Sequence, residues 1–249
     1  MGLLMIGSGL AGKTALVSGT AHGIGLAIAQ VLVEEGAVVH GVDRLVGDPI
    51  DGVTQSVLDV SDAAAVTAFV ESIGHVDVLV NCAGGVVGQV HHPIEEVTDE
   101  QWAAVVNANL TSTFVMTRAV VPGMKEAGWG RIVNISSGAG RSVSLTGIQA
   151  YASSKAGQIG LTRQTAHELG QFGITVNCIA PGFVLSNPTS QAQWDSYGPE
   201  GQAALVKDIA TRRTGSPFDI ANGVRYFTSE WAGWVSGQTL SIDGGHSMF

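Results

Sequence analysis

Thr14-Ala15-Leu16-Val17-Ser18-Gly19-Thr20-Ala21-His22-Gly23-Ile24-Gly25-Leu26-Ala27-Ile28-Ala29-Gln30-Val31-Leu32 is the stretch on which the reading of this chain turns. A short β-rich apolar run, Thr14 to Val17, enters a turn carrying Gly19, Gly23 and Gly25, and the turn opens a helical pattern from Leu26. Strand, glycine turn and helix in that order make a phosphate cradle. Glycines allow a tight turn and a close backbone approach, and the helix N-terminus favours negative charge. The spacing is G-x-x-x-G-x-G, with His22 and Ile24 between the glycines. An earlier stretch, Gly7-Ser8-Gly9-Leu10-Ala11-Gly12, matches G-x-G-x-x-G to the letter but precedes the strand instead of following it. That context is wrong for a dinucleotide loop, and a flexible lead-in is expected there.

Outward from the loop, short apolar runs alternate with longer helical patterns. Further strands are expected at Val38–Val42, Val53–Leu58, Val76–Val80, Arg131–Ile135, Ile174–Cys178 and Gln238–Ile242, and helices at about 23–35, 62–73, 99–125, 150–171 and 217–229. Alternating βα units with apolar strands imply a doubly wound parallel sheet covered by helices on both faces, an α/β Rossmann-type fold. No linker or repeat divides residues 1–249, so one domain is expected. The crossover from Asp43 to Val53 is too short for a helix, and Asp48-Pro49 and Asp51-Gly52 read as turns.

Composition narrows the class. With 45% hydrophobic and 13% charged residues and 34 glycines, the chain can bury a large core. A formal charge of −9 argues against nucleic acid or an anionic membrane as partner. Cys82 and Cys178 have no metal-ligand spacing and read as buried thiols in a reducing compartment. The apolar opening Met1–Ile6 has no basic flank and makes a poor signal peptide, and no apolar run is long enough to span a bilayer. A cytoplasmic location is expected.

Two further features carry chemistry. Asp43 follows the glycine loop by about twenty residues, at a strand end where a carboxylate can accept from adenosine ribose hydroxyls and repel a 2′-phosphate. This favours NAD over NADP, as does His22 standing where a phosphate-binding Lys or Arg would be; the neighbouring Arg44 pulls the other way. Tyr151 and Lys155, at i and i+4, share a helix face. A free tyrosine has a pKa of about 10, so proton exchange near neutrality needs roughly 4 kcal/mol of preferential phenolate stabilisation.

The glycine loop, Asn81-Cys82-Ala83-Gly84, Asn134-Ile135-Ser136-Ser137, Tyr151-x-x-x-Lys155 and Pro181-Gly182 occur in the order and approximate spacing of the short-chain dehydrogenase/reductase family, which the chain resembles from about residue 11 to Asp243-Gly244-Gly245. The resemblance implies an NAD(P)-dependent oxidoreductase moving a hydride between the nicotinamide and a secondary alcohol or ketone. It implies Tyr151 as general acid/base, Lys155 as ribose ligand and depressor of the Tyr151 pKa, and Ser137 (Ser136 being the alternative) as the hydroxyl on the substrate oxygen. Asn109, or alternatively Asn107, would order a water and pass protons to the lysine. Asn81, Ala83 and Gly84 would line the adenosine side, Asp59 and Val60 the adenine, and Pro181, Gly182, Val184 and Ser186 the nicotinamide. Ser18 and Cys82 depart from the family's threonine and second asparagine.

Substrate residues are less determined. Arg141, four residues after Ser137, either binds a carboxylate or sits on the surface; Gln149 and Asn187 are further candidates. Trp194 and Tyr197 are either part of a lid over about 186–215 or the apolar face of a short helix, and His91-His92 either touches substrate or forms an exposed loop pair, with no metal expected. A sugar acid or similar hydroxy acid would suit this set. The rival readings are an inactive nicotinamide-binding regulator and an epimerase or dehydratase on the same fold. The family habit of pairing long helices implies a homodimer or homotetramer.

Overall fold

Strands that are apolar on both sides must be covered on both sides, and the chain meets that requirement with one sheet between two helical layers. The computed structural model describes residues 7–248, so the apolar opening Met1–Ile6 lies outside the described residues. The strands are β1 (Thr14–Ser18), β2 (Val38–Asp43), β3 (Val53–Val57), β4 (Val78–Asn81), β5 (Gly130–Ile135), β6 (Ile174–Pro181) and β7 (Thr239–Ile242). They run parallel in the order β3-β2-β1-β4-β5-β6-β7. The order reverses between β1 and β4, which opens a crevice at their carboxyl ends.

Alternation along β1 sorts the core. Ala15 and Val17 pack with Ala27, Ile28, Val31 and Leu32 of α1 (Gly23–Glu34) and with Ile220 and Val224, while Leu16 faces the opposite layer with Val66, Met116, Met124 and Leu169. Each such buried Leu, Ile or Met stabilises by about 1.5–3 kcal/mol.

The remaining helices are α2 (Ala63–Ile73), α3 (Asp99–Val106), α4 (Ser112–Ala127), α5 (Gln149–Leu169), α6 (Pro188–Ser196), α7 (Gly198–Asp208) and α8 (Pro217–Thr228). Most of their starts are sealed by side chains: Asp62 accepts from Ala64 N and Ala65 N before α2, Thr98 and Gln101 form a capping box on α3, and Ser216 and Asp219 form one on α8. Helix α1, like α4, α5 and α7, has no such seal. No side chain caps its start at His22, which leaves its first amides to the crevice.

Two expectations are corrected. The helix expected over 99–125 is interrupted by a π-helical turn at Asn107–Thr111, a distortion that helices tend to keep where they bear function. The stretch Gly7–Gly12 is a packed turn instead of a flexible lead-in: Leu10 is fully buried, and a Cβ at Gly9 would run into the Glu230 side chain. The crossover from Asp43 to Val53 has no helix, as its length requires, and Gln55 holds it by accepting from Ile50 N and donating to Asp48 O.

Candidate active site

A cavity of about 1080 Å3 runs along the carboxyl ends of the strands, from the glycine turn to Tyr151. Its floor at one end is backbone. A Cβ at Gly25 would overlap the Gly19 carbonyl, and one at Gly19 would stand 2.9 Å from Ala83 N, so the turn lies directly on the chain leaving β4. Ser18 makes that approach possible: its Oγ accepts from Cys82 N at 3.0 Å and Ala83 N at 3.1 Å, so the hydroxyl that replaces the family's threonine keeps two donors satisfied. Gly23 lies behind the wall, where a Cβ would overlap Ser186 O.

At the end of β2, Asp43 accepts from Ala21 N and Leu45 N, each at 3.0 Å, one on each carboxylate oxygen. A carboxylate has about four lone-pair sites, so both oxygens can still accept from a ligand. Asp59 sits further along the same wall, and the Ser61 hydroxyl and amide hold its carboxyl below the usual range. The uncapped start of α1, the Cβ-free glycine turn and the oriented Asp43 together fit a dinucleotide: Gly19, His22, Ile24 and Gly25 for the phosphates, Asp43, Asp59 and Val60 for the adenosine, and Ala83, Gly84, Pro181, Gly182, Val184 and Ser186 for the wall beyond.

Tyr151, Lys155 and Ser137 meet at the other end of this cavity. Ser137 rather than Ser136 presents its hydroxyl: Ser136 is buried and donates to Lys155 O, whereas Ser137 starts a short turn and lines the cavity with Tyr151. Burial raises the Tyr151 phenol above its ordinary value, and the Ser137 hydroxyl offsets part of that rise. Lys155 makes no hydrogen bond to the phenol. Its Nζ stands 5.8 Å from the Tyr151 ring centre and donates instead to Ile135 O at 2.9 Å and Gln158 Oε1 at 3.0 Å. Burial lowers Lys155 to about 8.

Several expected residues stand behind the cavity wall instead of on it. Asn81 ties β4 to β5 and α4 through Asn134 Oδ1 at 2.8 Å and Thr117 Oγ1 at 3.3 Å. Asn109, fully buried in the π turn, donates to Gly85 O and Val105 O and accepts from Gly85 N, fixing the loop after β4. Its own carbonyl accepts from Ser112, Thr113 and Gln158. Asn107 is the asparagine of this pair that lines the cavity.

The substrate end needs the most correction. Arg141 points away from the cavity, its guanidinium donating to Ser241 Oγ at 2.8 Å and Thr239 O at 3.3 Å on β7. Gln149 donates to His92 O, and His91 Nδ1 lies 2.8 Å from Gly147 O, so these residues join two loops to each other. Trp194 and Tyr197 pack on Phe183 with ring centres 5.8 and 5.9 Å away, which leaves Phe183 and Gln193 on the wall, along with Asn187. Sequence reading missed Gln158, Ser142, Thr146 and His246, because no spacing rule marks a side chain brought to a site by a loop or a buried helix face.

The sequence matches, over residues 19–247, the family model described as Enoyl-(Acyl carrier protein) reductase. It is 35% identical over 250 residues to the 3-oxoacyl-[acyl-carrier-protein] reductase FabG of Vibrio harveyi, covering 96% of this chain and 99% of that one. Among solved structures it resembles a putative gluconate dehydrogenase from Agrobacterium tumefaciens, with a TM-score of 0.87 and 30% identity over 98% of this chain and 100% of that one. It also resembles a 3-oxoacyl-[acyl-carrier protein] reductase with bound NAD from Brucella melitensis, with a TM-score of 0.83 and 34% identity over 98% of this chain and 94% of that one. The chain thus belongs to the short-chain dehydrogenase/reductase family and is a pyridine-nucleotide oxidoreductase acting on CH–OH and C=O groups.

Proposed function

We propose that this enzyme is an NAD-linked dehydrogenase, or reductase in reverse, of a small neutral polyhydroxylated substrate. The observation that carries the substrate half of this reading is the wall beyond Tyr151. Its polar part is Ser142, Ser144, Thr146, Asn187, Ser190 and Gln193, with Arg141 turned onto β7. Neutral donors and acceptors of this kind match the hydroxyls of a polyol; a carboxylate would want the charge-assisted fork that Arg141 spends elsewhere. The anionic substrate that the sequence suggested loses its arginine.

A bound nicotinamide supplies the hydride acceptor in oxidation and the donor in reduction. The chain's own residues do the rest. Ser137 Oγ donates to the substrate oxygen and holds it against Tyr151. Tyr151 Oη takes the hydroxyl proton in oxidation and returns it in reduction. Lys155 keeps a positive charge beneath the site, where it stabilises a phenolate, and reaches a ribose hydroxyl. Asp43 engages the adenosine ribose and opposes a 2′-phosphate.

A second reading has one observation in its favour: Val87, Val143 and Leu145, all exposed, stand at the same cavity mouth, as an acyl chain would require. Initial rates with NAD on neutral polyols, set against NADPH-dependent reduction of a 3-oxoacyl thioester, decide between the two. Faster turnover of the thioester would overturn the polyol reading. The same proposal has the chain assembling as a homodimer or homotetramer through α4 and α5; sedimentation showing only monomer at micromolar concentration would refute it.

A further inference from the structure

One turn beyond Lys155 on α5, Gln158 is fully buried. An amide placed among packed helices is costly unless its donors and acceptor are matched, and a leucine would fill the same space without that demand. Here every partner of the amide belongs to the frame of the site. Its Oε1 accepts from Lys155 Nζ at 3.0 Å. Its Nε2 donates to Thr113 Oγ1 at 2.7 Å and to the Asn109 carbonyl at 3.2 Å, inside the π turn. Thr113 donates to that same carbonyl at 2.7 Å, so the amide's outer end is anchored twice. The negative end of its dipole thus faces an ammonium and its positive end faces backbone that an unusual helical turn has delivered.

We propose that Gln158 is a positioning residue for the reaction, clamping the Lys155 ammonium to the π turn and so fixing both its location and its charge. Only two protein acceptors hold Nζ, Gln158 Oε1 and Ile135 O, among the bonds of the described residues. Removing one leaves a buried ammonium with half of its direct support. The other titratable groups around it are Tyr151 on α5, Cys82 after β4 and Cys178 on β6. Burial raises both thiols, Cys82 to about 12, so they stay neutral at working pH and do not compete for the charge. The inference rests on the reading of Tyr151 and Lys155 as the proton-handling pair, but its decisive measurement needs no turnover.

That measurement is a pH titration of 13Cε,15Nζ-labelled lysine by NMR in the full-length, cofactor-free protein, which has four lysines, Lys13, Lys125, Lys155 and Lys207. In Gln158→Leu the Lys155 resonance should titrate lower than in the parent by about one pH unit, because the charged form loses an acceptor. In Gln158→Glu it should titrate higher by a similar amount, because a carboxylate favours the ammonium. The alkaline limb of the kcat/KM profile for alcohol oxidation should move in the same two directions. Opposite signs from two substitutions at one position are outside what a packing role produces. Unmoved titrations, or shifts of the same sign in both variants, overturn the proposal. If Gln158→Leu does not fold, Thr113→Val removes the amide's outer anchor at constant shape, and an unchanged Lys155 titration there overturns it equally. Failure of the acid/base reading would show separately, as retained turnover in Tyr151→Phe.

Discussion

The two ends of the cavity are built from different material. At the nucleotide end, β1, the glycine turn, α1 and the tip of β2 present mostly backbone: an uncapped helix start, glycines that no Cβ could replace, and one carboxylate held by two amides. At the substrate end, the wall comes from the loop 142–146 and from α6 with its cap Asn187, and that helix buries no residue. Backbone geometry tolerates few sequences, whereas side chains on a thinly anchored segment can change without disturbing the sheet. The first end should therefore be brittle and general, and the second adaptable and specific.

The strongest way to break that division is at the point where the two ends meet. Tyr151→Phe deletes one hydroxyl and little contact area. Turnover should fall by about 10²–10⁴-fold, the usual contribution of a positioned acid/base, while NADH affinity measured by fluorescence stays within about twofold. Near-normal kcat would end the assignment of Tyr151.

Brittleness at the nucleotide end is tested next by Gly25→Ala. The added Cβ overlaps the Gly19 carbonyl, a clash with backbone that no rotamer relieves. Overpacking of this kind costs about 1–3 kcal/mol, and because the strain falls on the loop itself, NADH affinity should drop by roughly tenfold or more along with the melting temperature. An equally small substitution at the other end, Ser144→Ala, should change the KM of one substrate and leave NADH affinity alone. If Ser144→Ala weakened NADH as much as Gly25→Ala does, the two ends would not be separable.

What could be read from sequence follows the same line. The glycine turn, Asp43 and the pair Tyr151/Lys155 were legible because strand-turn-helix order and i, i+4 spacing are local facts that the fold must honour. The sheet was legible from apolar runs such as Val78–Asn81, whose every residue is buried. The π turn was not, since Asn107-Ala108-Asn109-Leu110-Thr111 continues a helical pattern, and what sets it apart is long-range: Asn109 bonds Gly85 from both sides of its amide. Gln158 was missed for a related reason: on a helix that buries Ala150, Ser154, Thr162 and Ala166, a glutamine gives no sign of whether it turns inward.

A gentler probe of the nucleotide end is Asp43→Ala. The carboxylate orders the turn, through Ala21 N and Leu45 N, and on the proposed NAD-linked reading it would oppose a 2′-phosphate. Its loss should lower kcat/KM with NAD by about 10- to 100-fold, one charge-assisted hydrogen bond's worth, and narrow the gap to NADP, to which Arg44 on the same wall would then be available. A parent enzyme that already prefers NADP in steady-state kinetics would refute the NAD assignment outright.

The smallest effect on activity is expected at Arg141, where sequence and structure part most clearly. The sequence left it as either a carboxylate ligand or a surface side chain, four residues after Ser137, and the turn Gly138–Gly140 sends its side chain to β7. There it joins the loop after Ser137 to the edge strand of the sheet, a charged donor on Ser241 Oγ and Thr239 O worth about 1.5–3 kcal/mol when partly buried. Arg141→Ala should therefore lower the melting temperature while changing kcat/KM for a hydroxy acid and for a matched neutral alcohol by the same factor, roughly twofold or less. A selective loss for the acid of tenfold or more would mean that Arg141 leaves Ser241 when substrate enters. The substrate end would then be adaptable in a stronger sense than its neutral wall implies, and the polyol reading would give way to a sugar acid.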